Sequence, residues 1–99
     1  MQLFANEASR KVRGCHMLEI TCAHCKCFIA KYQKVGTSGL VKMYHDRILS
    51  SSMDISTVPG AIYCPSCGER IATKYTTHVE KEPAYRLVPS AFNKKRVRQ

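Results

Sequence analysis

Ninety-nine residues with six cysteines, sixteen Lys and Arg against seven Asp and Glu, and a formal net charge of +9 describe one small basic domain with tails, and exclude a multidomain enzyme. A domain of this size buries only roughly 60% of the surface its unfolded chain exposes, so a staple is expected, and the cysteines can supply one. No run approaches the about 18 consecutive apolar residues of a membrane span, and MQLFANEASRKVR lacks the apolar stretch and small-residue site of a secretory leader; a soluble, cytoplasmic protein with no membrane partner is the expectation.

Residues 1–13 read as a basic arm. Asn6 is placed to cap a short helix over 7–12 that Gly14 ends, but Leu3, Phe4, Ala8 and Val12 make a thin apolar face, and an unanchored arm reads equally well. From Met17 the pattern has period two. Leu18 and Ile20 alternate with Glu19 and Thr21, and later Phe28, Ala30 and Tyr32 alternate with Ile29, Lys31 and Gln33, which predicts the two strands of a hairpin. KVGTSG, residues 34–39, has the loop chemistry of its tip. Residues 40–49 carry both a helix face (Leu40, Tyr44, Ile48) and the strand-like LVKMY; a strand is preferred, because a third strand is the simpler addition after a glycine-rich tip. Ser50, Ser51 and Ser52 break the pattern, and Val58-Pro59-Gly60 is a turn, proline setting φ and glycine accepting a positive one, that leads into Ala61, Ile62 and Tyr63. Residues 70–77 form the last strand, with Ile71, Thr73 and Tyr75 on one face. Glu80-Lys81-Glu82-Pro83 is a linker, Tyr85, Leu87 and Phe92 allow residues 84–92 to dock, and residues 93–99 close the chain with a basic run of the kind that is usually solvated.

The cysteines are the strongest signal. Cys22-Ala23-His24-Cys25 and Cys64-Pro65-Ser66-Cys67 each leave two residues between thiols, a spacing that lets a tight turn aim both sulfurs at one point while its backbone N–H groups donate to them. Two such turns complete a tetrahedron around one Zn2+. Gly68 follows the second pair and is free to take the positive φ with which such a turn closes; Lys26 stands in that place after the first. A shift of 42 positions lays Ile20 on Ile62, Cys22 on Cys64, Cys25 on Cys67, Ile29 on Ile71 and Ala30 on Ala72, so both halves read strand, cysteine turn, strand. One structural zinc per chain, held by Cys22, Cys25, Cys64 and Cys67, follows. The 38 residues between Cys25 and Cys64 exceed the usual spacing of about 15–20, so the connection must carry structure of its own. A disulfide scaffold is disfavoured by the missing leader, and a redox pair should occur once, within a βαβ unit. Cys27 reads as a small packed residue and His24 as a ring turned to solvent. Cys15 and His16 would need two further ligands to hold a second metal, so Cys15 and Cys27 are expected as free thiols.

TCAHCKCFIAKY and YCPSCGERIATKY resemble the two knuckles of a zinc ribbon, over residues 17–75. The resemblance implies the same four cysteines as ligands and a small all-β fold, a zinc ribbon of antiparallel β-hairpins around one four-cysteine zinc site. The division is then an N-terminal basic arm (1–13), the ribbon (14–79), and a linker with a basic C-terminal tail (80–99). It implies no particular task, because the ribbon serves many unrelated ones.

Charge separates the segments: three basic and one acidic side chain in 1–13, seven and four in 14–79, six and two in 80–99. Four thiolates around one Zn2+ bring the middle segment nearer to neutral, so basic extensions on a nearly neutral ribbon suit contact with a phosphate backbone. The expected contacts are Arg10, Lys11 and Arg13 in the arm, Lys94, Lys95, Arg96 and Arg98 in the tail, and Lys31, Lys34 and Lys42 around the hairpin tip. Tyr32 and Tyr44 offer rings for stacking on unpaired bases, or serve as core aromatics in a chain without Trp. The leading expectation is a noncatalytic module that binds RNA or a ribonucleoprotein, no recognition helix for a major groove being evident. The alternative is an assembly factor docking on a protein through the ribbon hairpin. A rubredoxin-like iron carrier, which the turn from Cys64 to Gly68 resembles, fits less well, given Lys26 and the basic charge. Catalysis and a small-molecule substrate are not expected, since four thiolates leave no open position on the metal and no catalytic motif is present.

Overall fold

Each cysteine pair closes a two-stranded hairpin, and the remaining strands are laid along the sides of those two hairpins. The computed structural model describes residues 3–36, 39–76 and 83–97. Within them lie nine strands: β1 (Phe4–Ala5), β2 (Cys15–Cys22), β3 (Phe28–Val35), β4 (Lys42–Tyr44), β5 (Ile48–Ser51), β6 (Ala61–Tyr63), β7 (Arg70–Thr76), β8 (Pro83–Leu87) and β9 (Phe92–Arg96). One turn of 3-10 helix, His45–Arg47, joins β4 to β5. All pairings are antiparallel, in a first sheet ordered β1-β5-β3-β2-β9 and a second ordered β4-β8-β7-β6. The fold is therefore the small all-β architecture the sequence led us to expect. Among the described residues no helix is long and apolar enough to cross a membrane.

A single apolar cluster draws on both sheets. Ile20, Ile29 and Ile48 come from the first, Met43, Ile62, Ile71 and Tyr85 from the second, and each is fully buried. The two hairpins repeat one another down to an irregularity. In β2–β3, Ile20 pairs with Ala30 and Thr21 with Phe28, leaving Ile29 as an extra residue; in β6–β7, Ile62 pairs with Ala72 and Tyr63 with Arg70, leaving Ile71. A bulge turns two consecutive side chains toward one face, where strict alternation would send them to opposite faces. Ile29 with Ala30, and Ile71 with Ala72, are accordingly all at zero exposure. This corrects the expectation that Ile71 shares a face with Thr73 and Tyr75: Ile71 enters the core at the bulge.

Three other expectations change. The 7–12 helix is absent, and the arm is anchored by two buried amides. Asn6 Nδ2 donates to the carbonyls of His45 (2.7 Å) and Ile48 (2.8 Å), and Gln33 Nε2 donates to that of Arg10 (2.7 Å) while Gln33 Oε1 accepts from the Val12 N–H (3.0 Å). The Gln33 bonds satisfy peptide groups of the arm that a helix would have satisfied internally, and the Asn6 bonds tie the arm to carbonyls of the 3-10 turn and β5. The 40–49 segment is a strand only in part, since the 3-10 turn divides β4 from β5 and sends them into different sheets. In the Val58-Pro59-Gly60 turn the positive φ belongs to Val58 (51°), whose N–H donates to the Ile55 carbonyl at 3.0 Å.

The basic run also departs from a solvated tail. β9 lies along β2, Leu18 opposite Arg96, Ile20 opposite Lys94 and Cys22 opposite Phe92. Phe92 packs against the core cluster, which supplies the apolar reason for the strand to dock there.

Candidate metal centre

The two cysteine turns are built alike. In the first, the Cys22 N–H donates to the Cys27 carbonyl (2.9 Å) and the Lys26 N–H to the Cys22 carbonyl (2.9 Å). In the second, the Cys64 N–H donates to the Glu69 carbonyl (2.8 Å) and the Gly68 N–H to the Cys64 carbonyl (2.9 Å). Lys26 and Gly68 both take positive φ, 65° and 78°, so the lysine occupies the left-handed position that glycine holds in the other turn.

The turns face each other. Cys22 Sγ lies 3.6 Å from Cys67 Sγ, Cys25 Sγ lies 3.4 Å from Cys64 Sγ, and all four sulfurs fall within 4.8 Å of one another. A tetrahedral metal with bonds of about 2.3 Å to sulfur needs sulfurs about 3.8 Å apart, so the cluster has the dimensions of a metal site. Cys22 and Cys64 are buried, whereas Cys25 and Cys67 are exposed, which puts the centre at the surface with one side against the core. Burial pushes the Cys64 thiol up, but the N–H groups of Cys67 and Ser66 donating to its sulfur outweigh that and hold it below its ordinary value. For Cys67 the Glu69 N–H pulls the other way, yet desolvation and the sulfurs of Cys22, Cys64 and Cys25 push that thiol up to about 12. Four sulfurs this close cannot all carry charge unless a cation sits among them, and a metal ion held by Cys22, Cys25, Cys64 and Cys67 would supply that charge.

His24 and Glu69 join the two turns across the outside of the cluster, with Nε2 3.6 Å from Oε2 and both side chains largely exposed. Sequence spacing gave no hint of Glu69 there, because the contact forms only when the turns are opposed. Cys27 lies outside the cluster. It packs against the core with its Sγ 3.7 Å from the Phe28 carbonyl, and burial, then the neighbouring cysteines, push its thiol up. Cys15 sits at the far end of β2, its Sγ 3.8 Å from Gln33 Oε1.

The basic residues occupy separate places. Lys11 and Arg13 border a shallow depression of about 540 Å³ with Cys15, Gln33 and Leu49, and Arg10 is exposed beside it. Lys31 and Lys95 lie on the two strands flanking Glu19, each directly opposite that carboxylate. Lys94 and Arg96 are exposed on the same edge strand as Lys95, and Arg98 lies outside the described residues. Lys34 and Lys42 come together around a second depression of about 250 Å³, whose lining includes Tyr32, Tyr44 and Arg47. Arg47 and Arg86 went unnoticed in the sequence, and Tyr75 was read there only as a residue of the 70–77 strand. An isolated cation or ring in a strand carries no signal until its neighbours across the sheet are known.

Comparison with protein families, with curated proteins and with solved structures finds no match, so the reading of this chain rests on its own geometry.

Proposed function

We propose that this chain is a noncatalytic zinc-ribbon-type module of the reducing cytoplasm that binds nucleic acid, RNA before duplex DNA. Zinc suits a closed tetrahedron of four thiolates; rubredoxin-type iron takes the same donor set, and metal analysis of the purified protein separates the two. With all four positions filled by sulfur, the metal acts as a staple and has no place for a reacting water or a small-molecule substrate.

The observation that carries the nucleic-acid reading is the placement of β9. Lys94, Lys95 and Arg96 are exposed on an edge strand that is hydrogen-bonded to β2 and follows it to the first cysteine turn. Cations fixed to a strand meet phosphates with less ordering cost than a loose tail, and each contact releases counterions. RNA is favoured because the only helix among the described residues is a single 3-10 turn, which cannot read a major groove. The test is a titration of labelled single-stranded RNA across a salt series, comparing the native chain with the K94Q/K95Q/R96Q variant. Substitution is preferable to deleting 93–99, which would strip a strand from the sheet. The native chain should show a log–log salt slope steeper by about 0.7 per lost phosphate contact; equal slopes would remove β9 from the binding surface.

A second reading, docking on a protein through the ribbon hairpin, is favoured by Tyr63, which stands beside Cys64 with 47% of its surface exposed. That reading expects an association that survives nuclease and is lost on Tyr63→Ser.

A further inference from the structure

The outer face of the second sheet carries two rows of side chains that run across its strands. On β4 and β8, Lys42 is directly opposite Arg86, and on β8 and β7 Arg86 is opposite Thr73; two residue pairs further on, Tyr44 is opposite Ala84 and Ala84 opposite Tyr75. Lys42, Arg86 and Thr73 are exposed, Tyr44 and Tyr75 are half-buried with the buried Ala84 between them, and the alternate residues Met43, Tyr85, Leu87 and Ala72 are buried in the core. The rows therefore face outward, cations beside rings.

The cations lie against the rings. Lys42 Nζ is 5.0 Å and Arg47 Cζ 4.7 Å from the centre of Tyr44, and Arg86 Cζ is 5.4 Å from that of Tyr75. Beside Tyr44 the face opens into the 250 Å³ depression, to which Lys34 adds another cation. The charge of this face complements an anion. Lys42 and Arg86 stand directly across a ladder, so an anion laid over the pair is drawn by both. Lys34 and Arg47 add two more cations at the depression, Arg47 against the ring of Tyr44.

We propose that this face is the path of single-stranded RNA, with bases stacking on Tyr44 and Tyr75 and the flanking phosphates held by Lys34, Lys42, Arg47 and Arg86. The proposal rests on the nucleic-acid reading above and names the form of nucleic acid and where it lies. A single strand presents phosphates and unstacked bases together, which matches cations interleaved with rings; a duplex hides its base faces, and an acidic peptide has no use for the rings. A cation resting on a half-buried surface ring can be exchanged for a base, the cation then turning to the phosphate.

The experiment is fluorescence anisotropy with a labelled 12-nucleotide oligouridine and with an RNA duplex of the same length, on the native chain and on Tyr44→Leu, Tyr75→Leu, Arg86→Gln and K94Q/K95Q/R96Q. Metal content and amide NMR dispersion serve as controls for folding, and the exposed Arg86→Gln covers the case in which a tyrosine variant fails to fold. Each tyrosine variant should lose about tenfold in affinity for oligouridine with its salt slope unchanged, and Arg86→Gln should lose affinity with a shallower slope. Native-like binding by folded Tyr44→Leu, Tyr75→Leu and Arg86→Gln, together with weakened binding by the β9 variant, would overturn this path and leave the nucleic-acid reading standing. Tighter binding of the duplex than of oligouridine would also overturn it. A native chain that binds neither RNA in low salt would overturn both.

Discussion

Cys22 lies directly across the ladder from Phe92, and beyond that pair the Ala23 N–H donates to the Ala91 carbonyl at 3.0 Å. The first cysteine turn is thus also the docking point of the last strand. Phe92 packs against the apolar cluster that includes Cys22, so the cysteine site, the core and β9 share one set of contacts.

Metal removal should therefore release β9. Chelation is expected to abolish amide exchange protection along Phe92–Arg96 together with that of the cysteine turns, because a structural metal contributes about 10–16 kcal/mol where a domain of this size has only a few of its own. Hydrogen exchange followed by NMR reads this directly, and a β9 still protected in the metal-free chain would show that the strand docks without the site.

Cys15 and Cys27 should be dispensable. The C15S/C27S double variant is expected to keep one metal per chain, since neither sulfur belongs to the four-cysteine cluster, whereas serine at Cys22, Cys25, Cys64 or Cys67 should abolish tight binding. Native mass spectrometry gives the stoichiometry; loss of metal from the double variant would extend the site beyond the cluster.

The two positive-φ residues of the cysteine turns should respond in opposite senses. Gly68→Ala is expected to cost about 1–2 kcal/mol, the penalty for an L side chain in that region, and Lys26→Gly to cost nothing or stabilise, because the lysine already bears that penalty. Chelator competition on each variant measures the difference. A loss of metal affinity in Lys26→Gly would point to a separate role for the lysine side chain.

Tyr85 gives the chain an alkaline limit. The ring is fully buried, its hydroxyl donates to the Pro59 carbonyl at 2.8 Å, and burial pushes the phenol up to about 12 from an ordinary 10.0. A raised folded-state value makes this contribution complete below pH 10 and progressively lost as pH rises from there towards 12. Tyr85→Phe should lower stability near neutrality by about 1 kcal/mol for the lost bond and flatten the alkaline decline. Denaturant unfolding at neutral pH and across that alkaline range tests both parts.

The cysteine turns were legible because everything that shapes them is local. Ligand spacing, the left-handed position at Lys26 and Gly68, and the apolar residues on either side all lie within about ten residues, and the 42-residue repeat carried even the bulged Ile29 and Ile71 in register. Period two, by contrast, tells which residues leave the core but not which strand they will meet. That β9 would pair with β2, some seventy positions earlier, depended on which sheet edge the finished fold left open and on where Phe92 found apolar cover. Asn6 read as a helix cap, and Gln33 as one polar residue of an alternating strand, until the carbonyls of His45, Ile48 and Arg10 came within their reach. The face of cations and rings on the second sheet is likewise assembled from β4, β7, β8 and the 3-10 turn. Its chemistry lies in the juxtaposition of Lys42 with Arg86 and of Tyr44 with Tyr75, which only strand pairing creates.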